Sequence, residues 1–454
     1  MKILQLYNLL DYWKKLTSGS VNRRIFGAAI TVAIGTALVK GVAVVKELVV
    51  ACKFGTGDAL DAFLIALLVP SFIVNVVANS FNAALIPTYI RVREQEGQKA
   101  AQKLFSGIIV WSLTLLGITT ILMIVGAPLY LPLIATGFSS EKLNLTMKML
   151  YTMAPIVLLS GIITIWSSVL NAGEKFVLAA LSPASTSIIT ISFLLAFSSL
   201  GSFALVAGLV GGAVLEILLL GVALHRQGIS LRPKWYGFDP HLREVAGQYI
   251  PMIAGSFLMC STGLVDQSMA AMLSPGSVAA LNYGNRVIAL PITLASTALS
   301  AAVIPYFSKM VAHQDWKSIR HTLRHYLKII FIVTVPVSLL FIIFSEQIVE
   351  LLFQRGSFTA NDTHLVSNIQ FYFAFQIPFY VANILVVRLI SAMRLNQILM
   401  QVSGVNFIIN IVLNYLFIQW MGISGIALST SCVYLFCFLH IFIRAKIRLK
   451  NIVD

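Results

Sequence analysis

Residues 37–87, ALVKGVAVVKELVVACKFGTGDALDAFLIALLVPSFIVNVVANSFNAALIP, decide the fold of this chain. They contain two apolar segments joined by a short polar turn, and each segment is long enough to cross a bilayer. The first segment nevertheless carries Lys40, Lys46 and Glu47. A charge at that depth costs at least about 2.5–3.5 kcal/mol on insertion scales, so we expect these side chains to face a polar environment.

Two interpretations of these three charges are open. Lys40 and Glu47 lie seven residues apart and fall on nearly the same helix face, where they could form an ion pair that fixes helix packing. Alternatively, the charges form the cationic wall of an internal cavity. The cavity is the favoured interpretation, because two lysines against one glutamate leave a positive charge uncompensated.

The composition indicates a membrane protein. Of the 454 residues, 58% are hydrophobic and only 11% are charged, whereas soluble proteins carry about 25% charged residues. The sequence predicts an all-α polytopic membrane protein with about twelve transmembrane helices. The predicted spans are 26–50, 60–88, 104–126, 147–171, 177–199, 203–224, 245–272, 277–308, 327–350, 366–391, 397–419 and 423–444.

The net charge of +15 does not indicate nucleic-acid binding, because the basic residues gather in loops on one side of the predicted spans. By the positive-inside rule that side is cytoplasmic, and both termini lie there. Residues 1–25 are predicted to form an amphipathic interfacial segment rather than a signal peptide. We therefore expect a multi-pass protein of the cytoplasmic membrane, in contact with membrane lipids.

An internal repeat divides the chain. The motif AALIP at residues 83–87 returns as AAVIP at residues 301–305, 218 positions later. An even number of spans in each half predicts parallel repeats, related by an axis along the membrane normal. This arrangement is typical of a transporter with two six-helix lobes around a central cavity. The predicted parts are the N-terminal segment 1–25, an N-lobe 26–224, a cytoplasmic linker 225–244, a C-lobe 245–446 and a basic cytoplasmic tail 447–454.

Amide side chains inside the predicted spans are candidates for function. Asn75 and Asn79 step by four residues and share one face of the second span. Asn406, Asn410 and Asn414 step by four on the eleventh span. Each stripe suits either interhelical hydrogen bonds or a cavity lining, and the hydrogen bonds are favoured for the amides alone.

Two arginines inside the predicted spans are stronger candidates. Arg286 and Arg388 keep their charge, so each needs an anion or water as a partner. A phosphate is the natural partner of Arg286, because a guanidinium can hold it with two parallel hydrogen bonds. The alternative is a structural salt bridge between Arg286 and Asp266 or Glu216.

Asp266 has few basic neighbours in its own span. Together with Asn406, Asn410 and Ser431 or Thr430, it could form an oxygen-rich cluster that coordinates a hard monovalent cation. A plain hydrogen-bond network is the alternative, because oxygen-bearing side chains alone do not identify an ion.

No catalytic constellation emerges from the sequence. HExxH, GxSxG and Walker A motifs do not occur, and the four cysteines show no metal-binding spacing. We therefore expect a transporter rather than an enzyme, with no cofactor. Without a nucleotide site, uphill transport would depend on Na⁺ or H⁺ coupling or on the membrane potential.

Four stretches resemble the MviN/MurJ-like flippases of the multidrug/oligosaccharidyl-lipid/polysaccharide exporter superfamily. They are VVKELVVACKFGTGDALDAFLIALLVP at 44–70, FNAALIPTYIRVREQEGQKAAQKLF at 81–105, DQSMAAMLSPGSVAALNYGNRVIALPITLASTALSAAVIP at 266–305 and LLFQRGSFTANDT at 351–363. The resemblance is colinear over residues 30–450, and its third and fourth stretches are fairly specific. It implies an alternating-access flippase in a bacterial inner membrane, whose main cargo is lipid II, an undecaprenyl-diphosphate-linked saccharide.

The resemblance also implies roles for individual residues. Lys40 and Lys46 occupy positions where relatives have arginines that line a cationic cavity facing the diphosphate, and Glu47 follows where the family has an acid. Arg286 matches a cavity arginine of the eighth span. In the same way, Asp266 and the pair formed by Asn406 and Asn410 resemble a sodium site of some relatives.

The chain departs from the family pattern after Pro70. The family usually reads like P-N-x-x-R-R-x-x-A-E-G there, whereas residues 70–80 read PSFIVNVVANS, without the arginines and the acid. Fourteen spans are also common in the family, against twelve here. Both features fit the alternative cargo, a lipid-linked repeat unit of an exopolysaccharide or O-antigen.

A drug/cation antiporter of the same superfamily fits less well, because it would need an acidic cavity where Lys40 and Lys46 stand. The expected partners are the undecaprenyl-linked lipid and cell-wall or polysaccharide synthases, and the expected functional unit is a monomer.

Overall fold

The computed structural model describes residues 21–173, 176–393 and 395–453, and this part of the chain consists of helices and short connections. Numbered along the chain, the helices are α1 Val21–Phe54, α2 Asp58–Ile73, α3 Asn79–Glu96, α4 Gln98–Ile134, α5 Ser140–Met153, α6 Pro155–Ala172, α7 Phe176–Leu181, α8 Ala184–Ala196, α9 Phe203–Arg226, α10 Pro240–Ala271, α11 Ser277–Ala312, α12 Trp316–Ile343, α13 Ser345–Phe353, α14 Ala360–Ala374, α15 Gln376–Ala392, α16 Asn396–Met421 and α17 Ile423–Val453. A π-helix, Val74–Ala78, joins α2 to α3, and a 3₁₀ turn, Ser198–Leu200, follows α8.

Among the described residues, nine helical stretches are long and apolar enough to cross a membrane. The bent pair α14 and α15, which meet at 40°, makes ten if the pair is one span. Helices α1 and α11 have 34 and 36 residues and so also have the length to cross, although they are not among the nine. Each predicted span coincides with one of these stretches, so the all-α polytopic class is confirmed.

Two parts of the predicted organisation stay predictions. The N-terminal segment 1–25 lies outside the described residues as far as residue 20, and α1 begins at Val21. The lobe boundaries also remain untested. By packing, the described residues form two compact units: the first lies within Met1–Glu47, Val77–Thr120 and Pro155–Tyr249, and the second lies within Leu48–Val76, Ile121–Ala154 and Ile250–Asp454.

The first unit contains a closely packed pair of helices, α8 and α9. A Cβ atom added to Gly212 would lie 2.4 Å from the Cα atom of Thr186, and one added to Gly208 would lie 2.5 Å from the Cα atom of Thr190. Small residues four apart let two helix backbones approach in this way within a membrane.

The core of the second unit lies among α11, α12, α15 and α17. Buried members from each helix are Phe307, Leu327, Leu385 and Phe438. Aromatic rings interlock there, and the centroid of Phe438 lies 5.8 Å from that of Phe331. This apolar core fixes the rotation of α15 and α17, which both line the polar cavity of this unit.

Short polar motifs determine where helices of the second unit begin. Thr359 and Asp362 form a capping box at the start of α14, because each side chain accepts a hydrogen bond from the backbone amide of the other. Asp315 caps α12 by accepting a hydrogen bond from the backbone amide of Ser318 at 3.1 Å.

Candidate functional site

Lys40, Lys46 and Glu47 of α1 do not all pair with one another. The Nζ atom of Lys46 lies 2.8 Å from Oε1 of Glu47, and their side chains are 27% and 16% exposed. Lys40 is exposed and makes no ion pair or hydrogen bond with the part of the chain that the structure describes. The structural ion pair therefore joins adjacent residues, and Lys40 supplies the uncompensated positive charge.

The two asparagines of the second span flank an irregular turn. Pro70 lies inside α2, and the helix widens into the π-helix Val74–Ala78 four residues later. Asn75 lies in this π-helix, Asn79 begins α3, and both side chains are exposed. A π turn adds a residue to the helical repeat and is frequent at functional sites. The extra residue changes the angle between the Asn75 and Asn79 side chains around the helix from the one that a regular α-helix predicts.

The two membrane-span arginines have exposed side chains. Arg286 lies on α11, and its Nε atom donates to Oδ1 of Asn282 at 3.3 Å. Arg388 lies on α15. Asp266 is one of the two carboxylates considered as salt-bridge partners for Arg286. It accepts hydrogen bonds from amide and hydroxyl side chains.

Glu216, the other carboxylate, lies in the first unit on α9. It is 5% exposed and accepts hydrogen bonds from Ser182 at 2.8 Å and Thr186 at 3.3 Å. These hydroxyls satisfy the carboxylate within its own unit, so its role in the structure is the packing of α9 on the chain around α8.

A polar cavity of about 450 Å³ lies inside the second unit. Its walls come from α10, α11, α15, α16 and α17, and its polar lining residues are Thr262, Asp266, Asn285, Thr293, Gln376, Tyr380, Asn383, Ser403, Asn406, Asn410, Thr430 and Tyr434. The cavity thus places the carboxylate of Asp266 among amides and hydroxyls from several helices.

Three side chains bond directly to Asp266. Its Oδ1 atom accepts from the Nδ2 atoms of Asn410 at 3.0 Å and Asn414 at 2.7 Å. Its Oδ2 atom accepts from Oγ1 of Thr430 at 3.2 Å. The sequence placed Asn414 in the amide stripe of this span but not in the cation cluster, so this member of the cluster was missed.

The other two residues assigned to this cluster have different neighbours. Ser431 donates to the backbone carbonyl oxygen of Tyr372 at 2.7 Å. Asn406 lines the same cavity and lies beside the thiol of Cys437. Of the residues assigned to this cluster, Asn410 and Thr430 therefore bond to Asp266, as does Asn414 in addition.

The side chains around Asp266 suit a bound cation as well as a plain hydrogen-bond network. The Oδ1 atoms of Asn406, Asn410 and Asn414 are buried and have no hydrogen-bond partner among the described residues. An amide that rotates by half a turn exchanges its nitrogen for this oxygen, so these groups could turn acceptor oxygens toward a cation beside Asp266. Carboxylate, amide and hydroxyl oxygens are ligands for hard cations.

A second buried cluster, centred on Asp61, was missed by the sequence analysis. Asp61 lies on α2 and is 1% exposed. Its carboxylate is 2.7 Å from Nζ of Lys142 on α5, and it accepts hydrogen bonds from the backbone amides of Gly276 at 2.7 Å and Ala279 at 2.8 Å. An anion at these positions satisfies the free amides at the start of α11 and complements the helix dipole.

The backbone around this cluster is tightly fitted. Gly276 has a φ of +86°, and a Cβ atom there would lie 2.2 Å from the carbonyl oxygen of Thr56. Lys142 also lies 2.5 Å from Asp58, whose side chain is 59% exposed. The one signal in the sequence was a second similarity between the two halves. Leu60 and Asp61 match Leu281 and Asn282 at a spacing of 221 positions, close to the 218 of the repeated AALIP motif, but this similarity did not indicate a partner for Asp61.

Comparison with known proteins agrees with this architecture. The family described as lipid II flippase MurJ matches residues 50–452. A relative from Synechocystis sp., named probable lipid II flippase MurJ, is 28% identical over 436 residues, which cover 92% of this chain and 81% of the relative.

Solved structures share the fold. Lipid II flippase MurJ in its inward closed conformation matches with a TM-score of 0.80 and 24% identity, over 92% of this chain and 87% of that one. An inward-facing multidrug resistance MATE family transporter of the MOP superfamily matches with a TM-score of 0.75 and 14% identity, over 93% and 98%. Because the family match extends over most of the chain, this protein belongs to the lipid II flippase MurJ family.

Proposed function

We propose that this protein is a transporter that moves lipid II, a diphosphate-linked lipid saccharide, from the inner to the outer leaflet of a bacterial cytoplasmic membrane by alternating access. The family match over residues 50–452 carries this proposal. The alternative cargo, an exopolysaccharide or O-antigen unit, is not favoured, because the matched family is named for lipid II.

The proposed diphosphate-binding residues are two cations of α1 and one of α11. Lys40 and Lys46 offer ammonium groups, and Arg286 offers a planar guanidinium that can bind a phosphate bidentately. The exposed side chain of Lys40 and its lack of an ion pair with the described residues support this role. Glu47 would hold Lys46 in place between binding events, since the two are 2.8 Å apart.

Three further residues belong to the same proposal. Asn75 and Asn79 would donate hydrogen bonds to the sugar or phosphate oxygens from either side of the π-helix, and Arg388 would supply another positive charge. Their exposed side chains support this assignment. The saccharide would cross through a wet interior while the polyprenyl chain stays in lipid, which avoids moving sugar hydroxyls through hydrocarbon.

Coupling to a sodium gradient is the proposed energy source, with Asp266, Asn410, Asn414 and Thr430 as the residues that hold the ion. The buried amide oxygens without partners support sodium over a plain network. An ion there would supply positive charge to compensate a buried carboxylate. Proton coupling and the membrane potential are the alternatives. A measurement of how sodium affects stability distinguishes sodium coupling from both.

The proposed orientation has both termini in the cytoplasm, because the basic loops collect on that side. We further propose that a monomer suffices for flipping and that cell-wall synthases consume the exported lipid.

Periplasmic exposure of lipid II tests the function. The host is a bacterium whose own lipid II flippase is switched off and which expresses this chain. Exposure should return with the wild-type chain. The proposed cargo is wrong if exposure stays absent while the protein is verified in the membrane.

A set of variants tests the binding residues separately from the cargo. The triple variant Lys40→Ala/Lys46→Ala/Arg286→Ala should insert normally but restore no exposure. The control Lys99→Ala/Lys309→Ala/Lys317→Ala removes the same charge from three exposed lysines outside the proposed set and should restore it. If the first triple variant also restores exposure, lipid II flipping stands and the assignment of the cations is wrong.

A further inference from the structure

A second cavity, of about 510 Å³, lies in the second unit between α12 and α17. Its inner wall is formed by Leu323, Leu327 and Phe438, which belong to the buried core. Phe331 and Phe442 line it as well, and the ring centroid of Phe442 lies 5.7 Å from that of Phe438. The floor of this cavity is therefore aromatic and aliphatic.

One end of the cavity is strongly basic. Arg320, Arg324 and Lys446 line it, and all three side chains are exposed. Arg320 Nη2 donates to the backbone carbonyl oxygen of Leu449 at 3.0 Å, which ties the start of α12 to the end of α17. The cationic groups of two helices thus converge on one edge of an apolar cavity.

No carboxylate side chain belongs to the helices that surround this edge. Helices α12, α15, α16 and α17 contain neither Asp nor Glu in their described lengths. The acid that precedes α12, Asp315, caps that helix through Ser318. The positive charge at the cavity is therefore available to an external anion.

The dimensions match one leaflet of a bilayer. Phe331 lies eleven positions after Arg320, which is about 16 Å along a helix. Half the hydrocarbon core of a bilayer is about 15 Å thick. Neighbouring apolar side chains on both helices are exposed, among them Ile332 at 61% and Ile443 at 53%. The cavity therefore opens beside surfaces that suit contact with acyl chains.

We propose that this cavity binds one anionic glycerophospholipid of the cytoplasmic leaflet. The phosphate lies between Arg320, Arg324 and Lys446, and an acyl chain lies along Leu327, Phe331, Phe438 and Phe442. Basic pockets between transmembrane helices on the cytoplasmic side bind such headgroups. The bound lipid bridges α12 and α17, and this inference holds whether or not the transported lipid is lipid II.

Two other occupants of this cavity are a free phosphate and a polyprenyl diphosphate, and the lining of the cavity favours the phospholipid over both. A free phosphate would use the basic edge but not the apolar floor. A polyprenyl diphosphate would use both, but the residues to which we assign the transported diphosphate, Lys40, Lys46 and Arg286, are not among those that line this cavity.

The experiment measures lipid binding to the purified full-length chain in detergent. The probes are phosphatidylglycerol and phosphatidylcholine with identical acyl chains, and binding is read as lipid adducts by native mass spectrometry and as the shift of the unfolding temperature. The test variant is Arg324→Gln/Lys446→Gln, which keeps the Arg320 link to α17. The matched control is Lys317→Gln/Arg448→Gln, which removes the same charge from exposed residues of the same two helices outside the cavity.

Wild type and control should bind phosphatidylglycerol in preference to phosphatidylcholine. The test variant should bind phosphatidylglycerol roughly 25-fold more weakly, because each basic side chain near a membrane surface contributes a factor of about five. Equal loss in the control variant would overturn the proposal, because general surface charge would then explain the binding.

Two competitors identify the occupant. Inorganic phosphate at equal concentration should not displace phosphatidylglycerol, and neither should undecaprenyl diphosphate at equal concentration. Displacement by inorganic phosphate would overturn the proposal in favour of a simple anion site. Displacement by undecaprenyl diphosphate would overturn it in favour of a substrate site.

Discussion

The ammonium group of Lys142 lies 2.7 Å from the carboxylate of Asp61, and both residues are buried, at 8% and 1% exposure. The same carboxylate receives the backbone amides of Gly276 and Ala279. One side chain thus joins α2 and α5 to the first turn of α11. Replacing Asp61 leaves the buried ammonium group of Lys142 with only the exposed carboxylate of Asp58 as its partner, which is costly at this degree of burial.

Substitution of Asp61 should destabilise the protein far more than substitution of Asp58. Both carboxylates contact Lys142, but only Asp61 is buried. We expect Asp61→Asn to lower the free energy of unfolding by about 3–5 kcal/mol and Asp58→Asn by about 0–1 kcal/mol. Thermal unfolding of the two purified variants measures the difference. Equal shifts of the unfolding temperature would show that burial does not determine the strength of this cluster.

The charge of Lys40 should matter for flipping but not for stability. Its ammonium group makes no ion pair with the described residues, so Lys40→Gln removes no contact that we identify in the folded state. We expect an unchanged unfolding temperature and reduced periplasmic exposure of lipid II, with Lys40→Arg close to wild type because the charge is kept. A loss of stability in Lys40→Gln would instead indicate a structural role.

Sodium should stabilise the protein through Asp266. A ligand at 100 times its dissociation constant stabilises the state that binds it by about 2.7 kcal/mol. We expect the unfolding temperature to rise in sodium chloride relative to choline chloride, and Asp266→Asn to remove this rise because the carboxylate charge is lost. Thermal unfolding at constant ionic strength is the measurement.

The control for the sodium measurement is Ser431→Ala. Ser431 bonds to the carbonyl oxygen of Tyr372 and not to Asp266, so its loss should leave the sodium response intact. A wild-type protein without any sodium response would reject sodium coupling at this cluster and favour a proton or the membrane potential.

Two adjacent glycines of α9 should respond oppositely to alanine. The Cβ atom of Gly212→Ala would lie 2.4 Å from the Cα atom of Thr186, whereas that of Gly211→Ala has its nearest neighbour, Cγ2 of Ile189, at 3.5 Å. We expect Gly212→Ala to cost about 1–3 kcal/mol by overpacking. Gly211→Ala should be neutral or stabilising, because alanine favours the helix. The unfolding temperatures of both variants check this, and similar values would contradict the close approach of α8 and α9.

Most of the helical framework could be predicted from the sequence. The spans near residues 60–88 and 203–224 coincide with the stretches Asp58–Phe81 and Phe203–Arg226. A run of about twenty apolar residues must form a helix in a bilayer, because lipid offers no partner for the backbone amides and carbonyls. The π-helix Val74–Ala78 was not predictable in this way, since the same apolar composition suits both kinds of helix.

The sequence by itself determined the membrane class, the helix positions and the unusual charges of α1, because each depends on residues close together in the chain. Only the tertiary structure decided which side chains meet. Asp266 bonds to residues 144 to 164 positions away, and Asp61 bonds to Lys142, 81 positions away. Side-chain direction depends on how each helix is rotated against its neighbours, and packing of the apolar core sets that rotation. For the same reason Thr430 faces Asp266 while its neighbour Ser431 faces Tyr372.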